Sequence, residues 1–385
     1  MRAPATADSG GGSTPLGEIF HRGGESPDSP RIDNTGRVWR PTTATLLIRK
    51  DVMEKAIRIL ILPILLFIVG CGERNAADVA GPFRLLGRLQ TRGWPQDVAV
   101  DDTLAAVADD EAGTAIVDIR DPAALDTIRT YPVSSYSYRV TLCILSLENG
   151  VFGPYNESYG GPQLYEIFTS QFVPGGFSNS LEVYKMELVS KPDTLQLFTG
   201  DRSTSDGFTV RMIAKSGDSW NPVDNEQFQY TNGFRIYGFG RSGELAALCY
   251  DQLGIFIWNW RTSDDSIWVD TPGGARDAVW VGDYIYVADY GNGVQVIDAT
   301  SLATARIVAS IMPPGSSRLD RIAADDSYLF VLDANDGIYV LDISTPNSPR
   351  YLQLLETPAP NAVVARDGRI YVADSYRGLL IYGTG

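Results

Sequence analysis

Residues 284–298 read YIYVADYGNGVQVID: an apolar run, a glycine-rich turn opened by Asp289, and a second apolar run closed by Asp298. Tyr284 to Ala288 do not alternate apolar with polar, which marks a strand packed on both faces. The same strand, turn, strand layout recurs at 104–119 (LAAVADDEAGTAIVDI), 245–260 (LAALCYDQLGIFIWNW), 328–342 (YLFVLDANDGIYVLD) and 369–383 (RIYVADSYRGLLIYG). An aspartate stands before the turn at Asp109, Asp251, Asp289, Asp333 and Asp374, with later spacings of 38, 44 and 41 residues.

The gap between Asp109 and Asp251 leaves room for two diverged copies. LQLFTGDRSTSDGFTVRMI at 195–213 supplies one through Asp201, and VFGPYNESYGGPQLYEIF at 151–168 supplies the other with Asn156 near the expected place. The series then holds seven units averaging about 44 residues. A strand-rich period of 40 to 50 residues is that of propeller blades, whereas a β-solenoid repeats over far fewer residues. The expected fold is all-β: a seven-bladed β-propeller of four-stranded antiparallel blades over residues 83–385. The last unit ends one strand short, and FRLLGRLQ at 83–90 matches the missing outer strand in type, so the N-terminal strand is expected to close the ring and remove its exposed edges.

The segments AIVDI (115–119), VQVID (294–298) and YVLDI (339–343), each after a glycine-containing turn, resemble LVIVD repeats. They are found in bacterial secreted propellers, and propellers of the NHL type are similar in pattern. The resemblance covers five units; LYEIF and TVRMI, in the units around Asn156 and Asp201, lack the aspartate after the second strand. It implies the fold and little chemistry.

Upstream, residues 53–71 read MEKAIRILILPILLFIVGC, a short basic start and 11 apolar residues from Ile59 to Val69. That is the order of a secretory signal and is shorter than the roughly 20 residues of a membrane-spanning helix. Ile68-Val69-Gly70-Cys71 resembles a lipobox, which implies cleavage before Cys71 and acylation of its side chain. Gly72 in place of Asp then favours the outer membrane. Several acyl chains, at about 0.8 kcal/mol per buried methylene, would make attachment stable. Residues 1–52, rich in Gly, Ser, Pro and Thr, are expected to be a disordered or mis-assigned extension, 53–70 the signal, and 71–82 a tether.

The chain has a net charge of −15, and after Cys71 the count is 23 basic against 40 acidic residues. No basic stripe is present, which argues against nucleic acid. The one histidine, His21, precedes the signal, so the mature chain holds no His-based triad and no histidine metal ligand. No cofactor or metal is expected. A ring of the repeated aspartates could coordinate Ca²⁺, but an aspartate before a glycine turn more simply accepts backbone N–H bonds. Asp118, Asp298 and Asp342 close the next strand in the same manner.

Cys143 and Cys249 fall in strands of nonadjacent units and read as buried thiols rather than a bridge. Tyr155, Tyr159 and Tyr165, with Phe152 and Phe168, could form an aromatic platform for a ligand, with core packing as the competing reading. Trp258 and Trp260 read as packing. The expected function is a non-catalytic cell-envelope lipoprotein, held on the membrane by its lipid and binding a protein or glycan. The alternative is an envelope enzyme acting on glycans through a carboxylate pair at the channel mouth.

Overall fold

The structure, a computed structural model, describes residues 31–32, 38–39, 81–132, 139–146, 149–156, 161–162, 164–166, 172–173, 183–191, 194–201, 207–216, 219–262 and 264–385. The chain divides into two compact units, 1–78 and 79–385. In the first, Arg31–Ile32 pairs antiparallel with Val38–Trp39. The expected signal, Cys71 and most of the tether lie outside the described residues.

The second unit is a β-propeller. Blade I spans 97–131, blade II 183–230, blade III 238–269, blade IV 277–311 and blade V 319–356, each a four-stranded antiparallel sheet in chain order. Blade VI is formed by Pro360–Arg366, Arg369–Asp374 and Gly378–Thr384, with Phe83–Leu89 as its outer strand. The expected closure is therefore present: Phe83 pairs with Thr384 and Leu89 with Leu379. Gln353 of blade V secures the joint, its Oε1 accepting the Phe83 N–H and its Nε2 donating to the Phe83 carbonyl, both at 3.0 Å.

The count of seven four-stranded blades is corrected to six. Residues 139–173 form a five-stranded sheet of different order, in which Asn149–Asn156 pairs with Arg139–Ser146, Gly161–Pro162 and Leu164–Glu166. Arg139–Ser146 runs beside the inner strands of blades I and II. The physical reason is in the sequence: Pro154 and Pro162 each remove a ladder donor from within a strand, and Gly150, Gly153 and Gly161 are poor strand formers.

Blades stack through their faces, which is why the inner strands are apolar on both sides. Leu329, Phe330, Val331 and Leu332 are all buried, and Ile285 to Ala288 likewise. Interfaces V/VI and I/VI are mainly aliphatic, built on residues such as Val340, Ile370, Val372 and Leu380, or Val107, Val117, Leu379 and Ile381. Interface II/III is aromatic, joining Phe198, Phe208, Phe239, Phe256, Trp258 and Trp260. The packing reading of Trp258 and Trp260 is correct, at 4% and 2% exposed. Blades III and IV approach closely at Gly238 and Gly240. A Cβ at Gly238 would run into the Arg276 carbonyl, and one at Gly240 would lie 2.7 Å from that of Ala278.

Candidate binding face and channel

Two ends of the blades differ in what they carry. At one end, the outer strand of each blade crosses to the inner strand of the next, and the second and third strands turn; this is the crossover face. At the other end lie the remaining turns, the hairpin face.

The repeated aspartate organises the crossover face. Asp333 accepts the Ser317 and Arg318 N–H groups on Oδ2, both at 2.7 Å, and the Asn335 N–H on Oδ1 at 2.9 Å. Asp374 takes Thr357 and Ala359 on Oδ2 and Tyr376 and Arg377 on Oδ1. Asp109 accepts from Arg92 and Gly93, and Asp289 from Thr271 and Gly273. Each carboxylate thus ties the incoming crossover to its blade, and in Asp333 and Asp374 also stabilises its own turn. Burial raises the pKa of Asp109 and of Asp289, against the opposing effect of these hydrogen bonds.

Blade III departs from the register read in the sequence. Tyr250 there makes the bond to Gly254 that Asp109 and Asp289 make to Gly113 and Gly293. Asp251 stands one place later, at φ 53°, and pairs instead with Arg276 at 3.1 Å. On the hairpin face the reading of Asp118, Asp298 and Asp342 holds. They accept the N–H two residues on, from Arg120, Thr300 and Ser344 at 2.8 to 3.1 Å. Side-chain hydrogen bonds from Arg120, Thr300 and Ser344, with these backbone bonds behind them, lower the carboxyl pKa, that of Asp342 to about 2.

The crossover face presents exposed aromatics. Tyr376 is 69% exposed and Trp94 64%, with Phe234, Tyr290, Met312 and Leu253 also exposed. Trp94 and Tyr376 are held near one another by Asn361, whose Nδ2 donates to the Pro95 carbonyl and to Ser375 Oγ, each at 2.7 Å. Tyr290 sits in the left-handed region at φ 46°, a conformation that costs an ordinary residue about 1–2 kcal/mol. The Arg276 guanidinium lies between two rings, 4.5 Å from Tyr237 and 4.8 Å from Tyr290.

Behind this face runs a channel of about 620 Å³, lined by the inner strands. Its charged groups pair across and around the ring. Lys185 meets Asp277 at 2.7 Å, Arg241 meets Glu187 at 2.6 Å, and Arg366 meets Asp101 at 2.6 Å. Arg321 donates to the Tyr184 carbonyl at 3.2 Å and lies 4.1 Å over its ring. Burial works against the Arg321 charge, and Tyr184, Asp277 and Asp97 more than offset it, so its pKa is raised. Lys185 reaches Asp277 past blade III, where Gly238 carries no side chain to obstruct it.

Of the residues singled out beforehand, Tyr155 and Tyr165 stand on strands of the five-stranded sheet, where Tyr155 faces Pro162 and Arg139 in register and Tyr165 faces Phe152 and Phe172. Their side chains, Tyr159 and Cys71, the residue expected to be lipidated, lie outside the described residues. Cys249 is free and buried, and burial raises its pKa further. Sequence reasoning missed Trp94, Phe234 and Tyr376. Their signal was an aromatic inside a turn or crossover rich in Gly, Pro and Asn, where no strand core needs one. Among the described residues, no group of three or more His, Cys, Asp or Glu is placed to hold a metal.

The chain carries LVIVD repeats: the family model matches residues 92–132, 272–305 and 318–354, on blades I, IV and V. No curated protein matches the sequence. Among solved structures, the chain is similar to U3-55K, with 10% identity, a TM-score of 0.60, and coverage of 80% of this chain and 99% of that one. It is also similar to the computationally designed Ika8 protein, with 13% identity, a TM-score of 0.50, and coverage of 78% and 99%. At these identities the likeness concerns the fold alone.

Proposed function

We propose that this protein is a non-catalytic binding scaffold of the bacterial cell envelope, an outer-membrane lipoprotein anchored through Cys71, whose crossover face takes a protein or carbohydrate ligand. The observation that carries the reading is the set of aromatics, Trp94 and Tyr376 foremost, left exposed on one face by turns that are themselves fixed through buried aspartates. Large amphipathic rings on a rigid support gain much on contact and lose little conformational freedom. The carboxylates expected of a glycan-cleaving site are instead engaged: Asp277, Glu187 and Asp101 each hold a cation of the channel.

The test is capture of ligands from envelope extracts by the wild-type chain and by a Trp94→Ala/Tyr376→Ala variant. Both residues are exposed, so the variant keeps its fold. The expected result is a specific ligand lost with the two rings; retention by the variant, or turnover of polysaccharide by the wild type, would overturn the reading. Cys71→Ser should release the protein from the membrane fraction.

A further inference from the structure

We infer that the channel is a second binding site, for a small monocarboxylate whose apolar chain lies along the channel wall and whose carboxylate meets Arg321. The inference goes beyond the reading of the crossover face and stands on other residues.

The wall follows from strand alternation. On an innermost strand every second side chain turns towards the channel. Val98, Leu188, Ala278, Ile322 and Val363 are buried between blades, while Ala99, Val189, Val279, Ala323 and Val364 are part-exposed and line the cavity. Five blades thus contribute a collar of small aliphatic side chains. At the crossover end the collar is bridged. Arg321 of blade V, in register with Leu332 beside Asp333, donates to the Tyr184 carbonyl of blade II. Lys185 of blade II holds Asp277 of blade IV. These contacts form a polar floor, and a ligand enters from the hairpin end, past the Arg366–Asp101 and Arg241–Glu187 pairs. A volume of about 620 Å³ with apolar walls and a few polar groups is that of a small-molecule site.

The head group is assigned by how the cations are partnered. Among the described residues that line the channel, Lys185, Arg241 and Arg366 each have a carboxylate within 2.7 Å. Arg321 has none at ion-pair distance. Its Nη2 bonds the Tyr184 carbonyl at 3.2 Å, the Tyr184 ring covers one face of the guanidinium at 4.1 Å, and Nε and Nη1 have no partner among the described residues. Asp277 and Asp320 act on Arg321 from further off, but each is already bound, Asp277 by Lys185 and the Ile322 N–H, Asp320 by Arg318 at 3.0 Å. Asp97 acts on it in the same way and is itself engaged. These carboxylates keep the guanidinium charged and leave its remaining N–H donors open. A planar guanidinium with donors to spare matches a carboxylate edge-on. A phosphate matches less well, because its second charge would stand against Asp97 and Asp277. A hydroxyl brings no charge to Arg321 and gains less.

The experiment is equilibrium dialysis of the full chain in non-ionic detergent at physiological salt, against radiolabelled hexanoate, hexanol and hexylamine, with a detergent-only chamber as blank. The expected result is saturable binding of one hexanoate per chain, about ten-fold or more tighter than hexanol or hexylamine. Arg321→Gln should weaken hexanoate by about the same factor and leave hexanol unchanged, which a general loss of structure would not do. Ala99→Phe fills the channel with Arg321 in place; it should abolish binding of both, and it decides the matter should Arg321→Gln not fold. The Trp94→Ala/Tyr376→Ala variant should bind hexanoate as the wild type does, which separates this site from the crossover face. The inference is overturned if hexanoate shows no saturable binding, if hexanol or hexylamine binds as tightly, or if hexanoate binding survives Arg321→Gln or Ala99→Phe unchanged. Loss of hexanoate binding in the Trp94→Ala/Tyr376→Ala variant would overturn it as well.

Discussion

Interface II/III and interface V/VI stack the same kind of sheet with different chemistry. Between blades V and VI, Val340, Ile370, Val372 and Leu380 interdigitate, with Phe83 of the closing strand set edge-on to Phe330 at 5.2 Å. Between blades II and III the filling is rings: Phe256 stacks on Tyr230 at 4.5 Å, Trp260 meets Phe228 and Phe198 edge-on at 5.2 and 5.7 Å, and Phe208 meets Phe239 at 5.1 Å. Blade II also has longer strands, of 8 to 12 residues against 5 in the first three strands of blades I and IV. The family model matches I, IV and V but neither II nor III. The repeat signal therefore follows the aliphatic strand pattern and the two turn aspartates, whereas the fold asks only for blade faces that fill the space between sheets.

Three measurements sharpen or break that comparison. The largest expected effect is at the aromatic interface. Trp260→Ala removes a fully buried ring and should cost about 3–5 kcal/mol, whereas Ile370→Val, in the aliphatic interface, should cost about 0.5–1.5 kcal/mol. Chemical denaturation of both variants measures the difference. If the two midpoints shift equally, the aromatic cluster is loosely packed and the contrast fails.

Next is Asp333→Ala, which strips the acceptor from the N–H groups of Ser317, Arg318 and Asn335. Loss of charged hydrogen bonds at a buried site should cost about 1.5–3 kcal/mol. Asp251→Ala in blade III should cost less, because its carboxylate is partly exposed and holds only Arg276. Equal losses would show that the register assigned to Tyr250 is wrong.

The smallest effect concerns pH. The folded state holds the Asp342 carboxyl at about 2, below its ordinary 3.8. Its stabilisation is therefore complete above 3.8 and is lost as pH falls toward 2. Asp289, raised by burial, has the opposite sign: protonation just above 3.8 favours the folded state. Acid titration of stability in Asp342→Asn should lose part of its slope in the first window. An unchanged slope would remove the Ser344 and Arg350 bonds from the account.

Much of this was legible in the residues. The runs around Asp109, Asp289, Asp333 and Asp374 repeat because each inner strand meets the same environment, and Phe83–Gln90 was recognisable as a blade's missing strand. The unit at 139–173 was not legible. Its spacing fitted a blade, but Pro154 and Pro162 act on hydrogen bonding, which a period does not record. Blade III showed the same limit, since Asp251 kept the spacing to within one residue while Tyr250 took the structural place. Trp94 and Tyr376 were overlooked because strand patterning singles out residues that pack, and these two do not.

By itself the sequence determined the kind of fold, the closure by the N-terminal strand and the role of the turn aspartates, all consequences of local pattern and backbone hydrogen bonding. Only the tertiary structure decided the number of regular blades, the pairing of Lys185 with Asp277 past Gly238, and the gathering of Trp94, Phe234, Tyr290 and Tyr376 on one face. Those depend on which residues, far apart in the chain, come to share a ring end, and a closed circle of sheets fixes that only once every blade is in place.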